Sequence, residues 1–428
     1  MQGALRVLID NAPGQTRALL LDGTTVIEAW QDRAHDPDLT DSVHRVRIER
    51  MFPAQGRATA RLADGTPVSV RVGRRDEVAA GQLETITIIA APREDKPWQA
   101  VIGARLVGPD LVLLPGESGI AASRHLETGP DAAVMADLAA SLAVGPEGPG
   151  LEGPNLEGPN LERLGDFGLI LRRSATANDD LPAACTALIA AWQDRASPDV
   201  TSGCVFDGGG LPARIRRYCP GLPLIDTGPD TRMMFDTAWD GMIAMVGDTQ
   251  LALAGGGRMW IEPTRALTAI DLDSGSGSLE ALFAAAPAAI ARQLRLRQTG
   301  GLVAIDLPRM APAIRKRLDS DLVAALATDP RHPEWIGRSR GGMLEIRLPY
   351  GRPAPASYET DPVATSVLAV LRDIARRPAL AAPVIDLSPD MAAWLHGPGA
   401  TALASLDRPV TPVVSSETQT ATLREPAP

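Results

Sequence analysis

Cysteine, lysine and aromatic residues are scarce in this 428-residue chain. The three cysteines, Cys185, Cys204 and Cys219, are not in C-x-x-C spacing, which argues against a disulfide scaffold and a cysteine zinc site. Aromatic residues make up 4% of the chain, a low content for a protein that stacks nucleic-acid bases. Lysine occurs only at positions 96 and 316, so arginine carries nearly all of the positive charge.

Long apolar runs are also missing. No stretch approaches the roughly 18 apolar residues that a membrane-spanning helix needs. The first residues, MQGALRVLIDNAPGQ, lack the charged and then apolar layout of a signal peptide. These features predict a cytoplasmic protein without a membrane partner.

The length predicts several globular units, and a formal net charge of −10 by itself disfavours a nucleic-acid binder.

The first ninety residues read as β-strands. Three apolar runs within residues 5–27 predict strands joined by turns such as Asp22-Gly23. Four further runs between about residues 44 and 90 suit a small barrel or meander. Arginines at alternate positions predict a basic outer face, which either binds a ligand or only faces solvent. These arginines are Arg47, Arg57, Arg61 and Arg71.

Glycine and proline divide the rest of the chain. Residues 145–162, GPEGPGLEGPNLEGPNLE, repeat LEGPN and predict a flexible surface insertion. Residues 181–196 predict a helix and residues 350–362 a second linker. A helix over residues 363–376 follows, and then a small α/β remainder with a polar tail after about Ser415.

A strand–helix–strand pattern at residues 264–310 carries the most informative side chains. One apolar run leads to Asp271 and Asp273, and a second, after a helical pattern with Pro287 inside it, ends at Asp306. The proline predicts a kink or a division of that helix. A parallel crossover would bring Asp271 and Asp306 to neighbouring strand ends. Two such carboxylates, with Asp273 or a carbonyl nearby, suit Mg²⁺ or Mn²⁺; alternatively, they cap the helix or satisfy loop amides.

Basic residues concentrate around these carboxylates. Residues 247–350 hold thirteen basic and eleven acidic residues, a net charge of +2, so the remainder of the chain carries −12. Such a local excess favours a polyanionic substrate. The clusters are Arg292, Arg295 and Arg297, then Arg315, Lys316 and Arg317, and finally Arg338 with Arg340.

Two segments of this span resemble motifs of the ribonuclease E/G family of bacterial endoribonucleases. Residues 266–271 read ALTAID, like a motif of that family. Residues 291–306 read ARQLRLRQTGGLVAID and are similar to its ARQLRLR…GGLIVID. Weaker collinear similarity extends the resemblance over roughly residues 4–415.

The resemblance implies an α/β multidomain fold with an RNase H-like core, an inserted OB-fold barrel and 5′-sensor region, a DNase I-like catalytic subdomain and a small C-terminal α/β subdomain. The implied boundaries are 1–38 and 199–246 for the two parts of the core, 39–101 for the RNA-binding barrel, 102–198 for the 5′-sensor region with its 145–162 insertion, 247–350 for the catalytic subdomain and 351–428 for the linker, small subdomain and tail.

The resemblance also implies divalent-metal-dependent cleavage of single-stranded RNA, with Mg²⁺ or Mn²⁺ as the cofactor. Asp271 and Asp306 take the positions of the family's metal-binding aspartates. Asp273 takes the place of an assisting asparagine, which keeps an oxygen ligand and adds a charge.

Four arginines are implied to bind RNA. Arg172 aligns with the residue that grips a 5′-monophosphate, so 5′-monophosphorylated RNA is an expected substrate form. A one-residue shift would place Arg173 there instead. Arg124 and Arg340 match further basic positions of the family.

The chain also departs from the family pattern. Residues 350–362 lack the family's C-P-x-C zinc link, so no zinc is expected, a zinc-linked tetramer is disfavoured and a homodimer is left open. Residues 53–90 lack the aromatic residues of the family's barrel, which predicts a weak grip on RNA. Arg265 and Arg309 replace acids, and the loop after Asp271 is rich in glycine and serine. A catalytically impaired RNA-binding or regulatory relative therefore stays a second hypothesis, and a phosphoesterase for small nucleotides a third.

Overall fold

The computed structural model describes residues 5–74, 76–93, 96–122, 167–172, 174–175 and 180–424. The chain forms two compact units, one of residues 1–38 and 222–428 and the other of residues 39–221. The domain boundaries that the resemblance implies stay a prediction. The insertion expected at 145–162 lies outside the described residues.

The first unit begins with an antiparallel meander. Its strands are β1 (Leu5–Ala12), β2 (Gln15–Asp22) and β3 (Thr25–Arg33), which are longer than the three predicted strands. Leu8 and Leu19 face each other across β1 and β2 and are buried. The predicted turn at Asp22-Gly23 joins β2 to β3, with Gly23 in the left-handed region.

The second unit contains a closed five-stranded barrel. Its strands are β4 (Val43–Phe52), β5 (Arg57–Arg61), β6 (Pro67–Arg71), β7 (Leu83–Ala90) and β8 (Trp98–Ile102). Pairing runs β4-β5-β6-β8-β7 and returns to β4, which is an OB-like arrangement without a free edge. Ile48 and Ile88 are among the side chains that fill the interior. The predicted basic outer face is present, since Arg47, Arg61 and Arg71 are exposed and Arg57 is half-buried.

A smaller sheet and two helices complete the second unit. The sheet has the order β11-β12-β10-β9, from β9 (Leu106–Val107), β10 (Leu111–Pro115), β11 (Ile120–Ala122) and β12 (Phe167–Leu171). Helix α1 (Leu181–Arg195), which was predicted, packs Leu188 and Trp192 against it. Next come β13 (Gly203–Phe206), which pairs with β4, and helix α2 (Gly210–Tyr218).

The first unit resumes with β14 (Leu224–Asp226), which lies parallel to β1. Helix α3 (Pro229–Gly247) follows and packs its apolar face against the β1–β3 meander. The residues of that face are Phe235, Trp239, Met242 and Val246.

A six-stranded sheet follows, with two helices on one face. Its strands are β15 (Gln250–Ala252), β16 (Arg258–Pro263), β17 (Thr268–Asp273), β18 (Gly301–Asp306), β19 (Glu334–Arg338) and β20 (Leu344–Leu348), in the order β15-β16-β17-β18-β20-β19. The helices are α4 (Leu279–Leu296) and α5 (Pro312–Leu326). Both helices bury their apolar residues in one core with this sheet.

Pro287 lies inside α4 and does not divide it. Of the two expected effects, the division does not occur, and the kink stays a prediction. A proline in a helix interior costs about 3 kcal/mol, but residues on both sides of this one are buried against the same sheet. Phe283 precedes it and Ile290 follows it in the core, and the burial of such side chains offsets a cost of that size.

The chain ends in a small α/β layer. After a 3₁₀ helix (Pro355–Thr360) come α6 (Pro362–Ala375), β21 (Val384–Leu387), α7 (Pro389–His396), α8 (Ala400–Ala404), β22 (Thr411–Val414) and β23 (Thr422–Leu423), with the sheet order β22-β21-β23. The expected polar tail thus contains a strand, because β23 pairs with β21 and buries Ala421. Across the described ranges, no helix is long and apolar enough to cross a membrane.

Candidate active site and nucleic-acid surface

Asp271 and Asp306 lie on adjacent strands in direct register. β17 and β18 are parallel, and their paired Cα atoms run from Thr268 and Val303 to Asp271 and Asp306. Helix α4 forms the crossover between them, as the sequence pattern predicted. Because neighbouring strands are about 4.8 Å apart, the two carboxylates emerge next to each other.

Both side chains project from the face of the sheet that the helices do not cover. On β17, Ile270 and Leu272 are buried in the core beneath α4 and α5. Since side chains alternate along a strand, Asp271 and Asp273 point to the opposite face, where Asp306 also lies. All three carboxylates are exposed. Acids at two alternate positions near the end of β17, together with Asp306 of β18, thus produce an acidic patch on the open sheet face.

The three aspartates differ in their hydrogen bonds. Asp306 Oδ1 accepts from the amide of Leu307 at 2.9 Å, and Asp273 Oδ1 accepts from the amide of Gly275. These two side chains satisfy loop amides, as one reading of the sequence expected. The Asp271 side chain makes no hydrogen bond or ion pair with any other part of the chain that the structure describes.

The donor set suits a cation that keeps most of its water. Mg²⁺ is usually held by one or two carboxylates together with waters and substrate phosphates. Among the described residues, no three His, Cys, Asp or Glu side chains form a group that could hold a metal ion by themselves. Asp271 and Asp306 therefore fit a divalent cation that is held jointly with a bound substrate.

The glycine- and serine-rich loop after Asp273 has a packing cause. A Cβ on Gly277 would lie 1.9 Å from the carbonyl oxygen of Gly255, in the turn between β15 and β16. The two loops thus approach backbone to backbone, and a side chain at this position would separate them. Ser278 then begins α4, and its Oγ accepts from the amide of Ala281 at 3.1 Å.

Further polar side chains share the open face, and the sequence analysis did not single them out. On β16, Trp260 pairs directly with Asp271 and Arg258 with Asp273. On β20, Glu345 and Arg347 alternate with core residues. The available signal was the two-residue alternation in β16 and β20, but only strand register shows which strand each face adjoins.

The arginines of the ARQLRLR segment are half-buried and bind other parts of the chain. Arg292 Nε donates to the carbonyl of Val26 at 2.7 Å, Arg295 forms an ion pair with Glu28, and Arg297 Nη2 donates to the carbonyl of Asp248 at 2.6 Å. The expectation that these three face a polyanionic substrate is wrong. Their guanidinium groups instead fix α4 to β3 and to the end of α3, and burial lowers the pKa of Arg292 and of Arg297.

The other two basic clusters contain exposed residues, as the binding of a polyanionic substrate would require. Arg315, Lys316 and Arg317 are exposed in the first half of α5. Arg340 is exposed in the turn between β19 and β20. Because Leu344 pairs with Ile305, that turn lies at the same end of the sheet as Asp306. Arg338 instead binds the carboxylate of Asp319.

The expected 5′-phosphate residue Arg172 follows β12 in the second unit. Its Nη1 donates to the carbonyl of Gly108 at 2.8 Å, and burial lowers its pKa although Tyr218 and two aspartates oppose that change. Its role toward a phosphate stays a prediction. Arg124 and Arg173 lie outside the described residues.

A pocket of about 430 Å³ opens on the outside of the barrel. Arg45, Arg47 and Arg61 line it, and Arg47 donates to the carbonyl of Gly81. Arg61 also lies 3.3 Å from the carboxylate of Glu49. None of the described residues that line the pocket is aromatic. The described lining of this pocket therefore presents positive charge without a stacking surface.

The segment that contains the six-stranded sheet matches known proteins. Residues 227–347 match the sequence model of the Ribonuclease E/G family. This segment is therefore similar to the ribonuclease E/G family. Ribonuclease G of Haemophilus influenzae is 21% identical over 405 residues, which cover 80% of this chain and 79% of that protein. The similarity to the ribonuclease E/G family thus extends well beyond the sheet.

Two other relatives match over shorter segments. Ribonuclease E of Escherichia coli is 38% identical over 106 residues, which are 23% of this chain and 10% of that protein. A chloroplastic ribonuclease E/G-like protein of Arabidopsis thaliana is 29% identical over 161 residues, which are 35% of this chain and 15% of that protein. The chain therefore matches only a small part of the length of these two relatives.

Proposed function

We propose that this chain is an endoribonuclease that hydrolyses phosphodiester bonds in single-stranded RNA. The observation that carries the proposal is the direct register of Asp271 and Asp306 on the open face of the sheet, within the segment that matches the ribonuclease E/G family. The names of the relatives, ribonuclease E and ribonuclease G, support RNA as the substrate.

Asp271 and Asp306 would hold Mg²⁺ or Mn²⁺ in this proposal. A bound divalent cation would supply charge neutralisation at the phosphodiester and a lower pKa for the attacking water. Asp273 lies two residues further along the same face, and the Gly275 amide holds its carboxylate in place. Asp273 would therefore orient groups at the edge of the site.

Exposed cations at the same end of the sheet would hold the RNA backbone. Arg340 lies in the β19–β20 turn, and Arg315 and Lys316 lie in the first half of α5, the helix that follows Asp306. Guanidinium groups bind phosphate oxygens through two parallel hydrogen bonds. Such contacts would fix the scissile bond over the two aspartates, and positioning of this kind lowers the barrier to reaction.

The finer assignments belong to the same proposal. They are the RNase H-like core and DNase I-like catalytic subdomain, the absence of a zinc link, contact between Arg172 and a 5′-monophosphate, and a cytoplasmic location. The α/β architecture with an OB-like barrel is consistent with them.

A second candidate is a relative that binds RNA and cuts slowly or not at all. Two observations favour it. No third metal ligand joins Asp271 and Asp306 among the described residues. The pocket on the barrel also offers arginines but no aromatic side chain among its described residues.

A cleavage assay on the full chain separates the two candidates. The substrates are a 5′-labelled single-stranded oligoribonucleotide and the same strand in a duplex, each with Mg²⁺, with Mn²⁺ or with EDTA. We expect internal cleavage of the single strand only when a divalent cation is present. RNA binding that weakens with salt but gives no products would select the second candidate, and the absence of both binding and cleavage would overturn both.

A further inference from the structure

One aromatic side chain stands on the open face of the six-stranded sheet. Trp260 lies in β16, and its Cα pairs with that of Asp271. Its chain neighbours Met259 and Ile261 are buried in the core with the helices. Alternation along the strand therefore turns the indole to the face of the aspartates, and Trp260 is only half-buried there.

The Trp260 indole does not pack into the hydrophobic core beneath the sheet. Trp335 of β19 packs against the core that the sheet shares with α4 and α5, whereas Trp260 is not part of that cluster. Within the described ranges, Trp260 also makes no ring–ring or cation–π contact. Tryptophan is a large side chain to leave half-buried on a polar surface, and partly exposed aromatic residues of this kind are typical of binding surfaces.

The strand register places the Trp260 indole beside the side chain of Asp271. Cβ atoms of directly opposite residues on antiparallel strands are about 4.5–5.5 Å apart, so the indole adjoins Asp271. Asp306 lies one strand further, roughly 5 Å beyond. A planar ring stacked on the indole would thus hold its attached phosphate close to both carboxylates.

We propose that Trp260 forms a stacking subsite for the nucleobase next to the scissile phosphate of single-stranded RNA. The inference rests on the proposed function and names a contact within it. Single-stranded RNA is commonly read on exposed sheet faces where aromatic side chains stack on unpaired bases. A duplex would not offer such a base, so this subsite selects single strands. It also supplies, beside the aspartates, the stacking surface that the barrel pocket lacks.

The test is RNA binding by the full chain in EDTA, where cleavage is not required. The ligands are one labelled single-stranded oligoribonucleotide and a series in which each nucleotide in turn is made abasic. We expect Trp260→Ala to weaken binding of the intact strand by about 5- to 160-fold, the range for loss of one stacked base. We expect Trp260→Phe to restore most of that loss.

The abasic series separates stacking from a structural role. At one nucleotide, removal of the base should weaken binding by wild type but add little to the loss in Trp260→Ala. Met233→Ala removes an exposed apolar side chain of α3 and should bind like wild type. Equal binding by Trp260→Ala and wild type, or the same further loss at every abasic position in both proteins, would overturn the inference. Cleavage by wild type decides the proposed function separately.

Discussion

Asp10 is a buried carboxylate with a complete set of partners. Its side chain accepts from Arg17 at 2.7 Å and from Arg376 at 2.6 Å, and both arginines also bind Asp236. Burial raises the pKa of Asp10, but the two arginines outweigh this effect and hold it below 3.8. These contacts tie β1 and β2 to α3 and α6 within the first unit.

We expect Asp10→Ala to destabilise the chain by about 3–5 kcal/mol, because it leaves the buried Arg17 without its closest partner. The measurement is the urea dependence of unfolding. Asp373→Asn is the matched control, since it breaks an exposed pair with Arg377 on α6 and should cost only about 0.2–0.5 kcal/mol. Similar losses in the two variants would contradict this account of the network.

His44 gives the barrel a pH dependence. Burial lowers its pKa below 6.5, which Asp64 only partly offsets, and its Nε2 lies 2.8 Å from Ser42 Oγ. The unfolded chain therefore takes up a proton on His44 at a higher pH than the folded chain does. The stability that neutral His44 contributes is complete above pH 6.5 and is lost as the pH falls towards the folded pKa.

We expect His44→Gln to reduce the loss of stability between roughly pH 7 and pH 5. Urea unfolding at several pH values, followed by a probe in the barrel, measures this. If the wild type and the variant lose stability in parallel over that range, His44 does not titrate as its burial requires.

At the level of elements, the glycine pair Gly300-Gly301 at the start of β18 sets how the chain enters the strand. Gly301 has a φ of +88°, and a Cβ at this position would lie 2.3 Å from the hydroxyl of Tyr350. Both the backbone conformation and the space therefore require glycine. The GG of the GGLVAID motif thus has a structural cause next to the strand that carries Asp306.

We expect Gly301→Ala to destabilise the first unit by about 1–3 kcal/mol through backbone strain and the contact with Tyr350. Gly241→Ala is the matched control, because Gly241 lies in α3 with open space around it. That change should stabilise the chain by about 0.8–1.0 kcal/mol. Denaturant unfolding of both variants is the measurement, and equal shifts in the same direction would contradict the explanation.

The elements of the site were predictable where the cause is local, and the partners of its side chains were not. Two apolar runs that end in aspartate around one helix predicted the parallel pair of Asp271 and Asp306, and the structure has it in register. The same analysis misplaced Arg295, because its partner Glu28 lies 267 positions away and a count of charges holds no such information. It also passed over Trp260, whose position depends on the antiparallel register of β16.

At the scale of the whole molecule, the charge is negative overall and positive around the sheet. The chain carries −10 in total, whereas residues 247–350 carry +2. The internal bonds of Arg292, Arg295 and Arg297 reduce the number of cations available to a ligand. The exposed cations Arg315, Lys316 and Arg340 then account for much of the attraction that we expect for RNA.

We expect the triple substitution Arg315→Ala, Lys316→Ala and Arg340→Ala to weaken RNA binding and its salt dependence. For single strands each lost phosphate contact lowers the slope of log affinity against log salt by about 0.7, so three contacts correspond to about 2. Arg424→Ala removes an exposed charge in the C-terminal sheet and should leave the slope unchanged. A triple variant with the wild-type slope would show that these residues do not face the RNA.

The most direct test of the central claim is the rate of RNA cleavage by Asp271→Asn and by Asp306→Asn, each with saturating Mg²⁺ or Mn²⁺. Each variant keeps the size of the side chain and removes its charge. Asp240→Asn, an exposed change on α3, is the control. We expect the two site variants to lose at least about 100-fold in rate, the scale at which loss of one charge-stabilising group is felt, and the control to cleave like wild type. Cleavage by both site variants at the wild-type rate would contradict the assignment of the active centre to this pair.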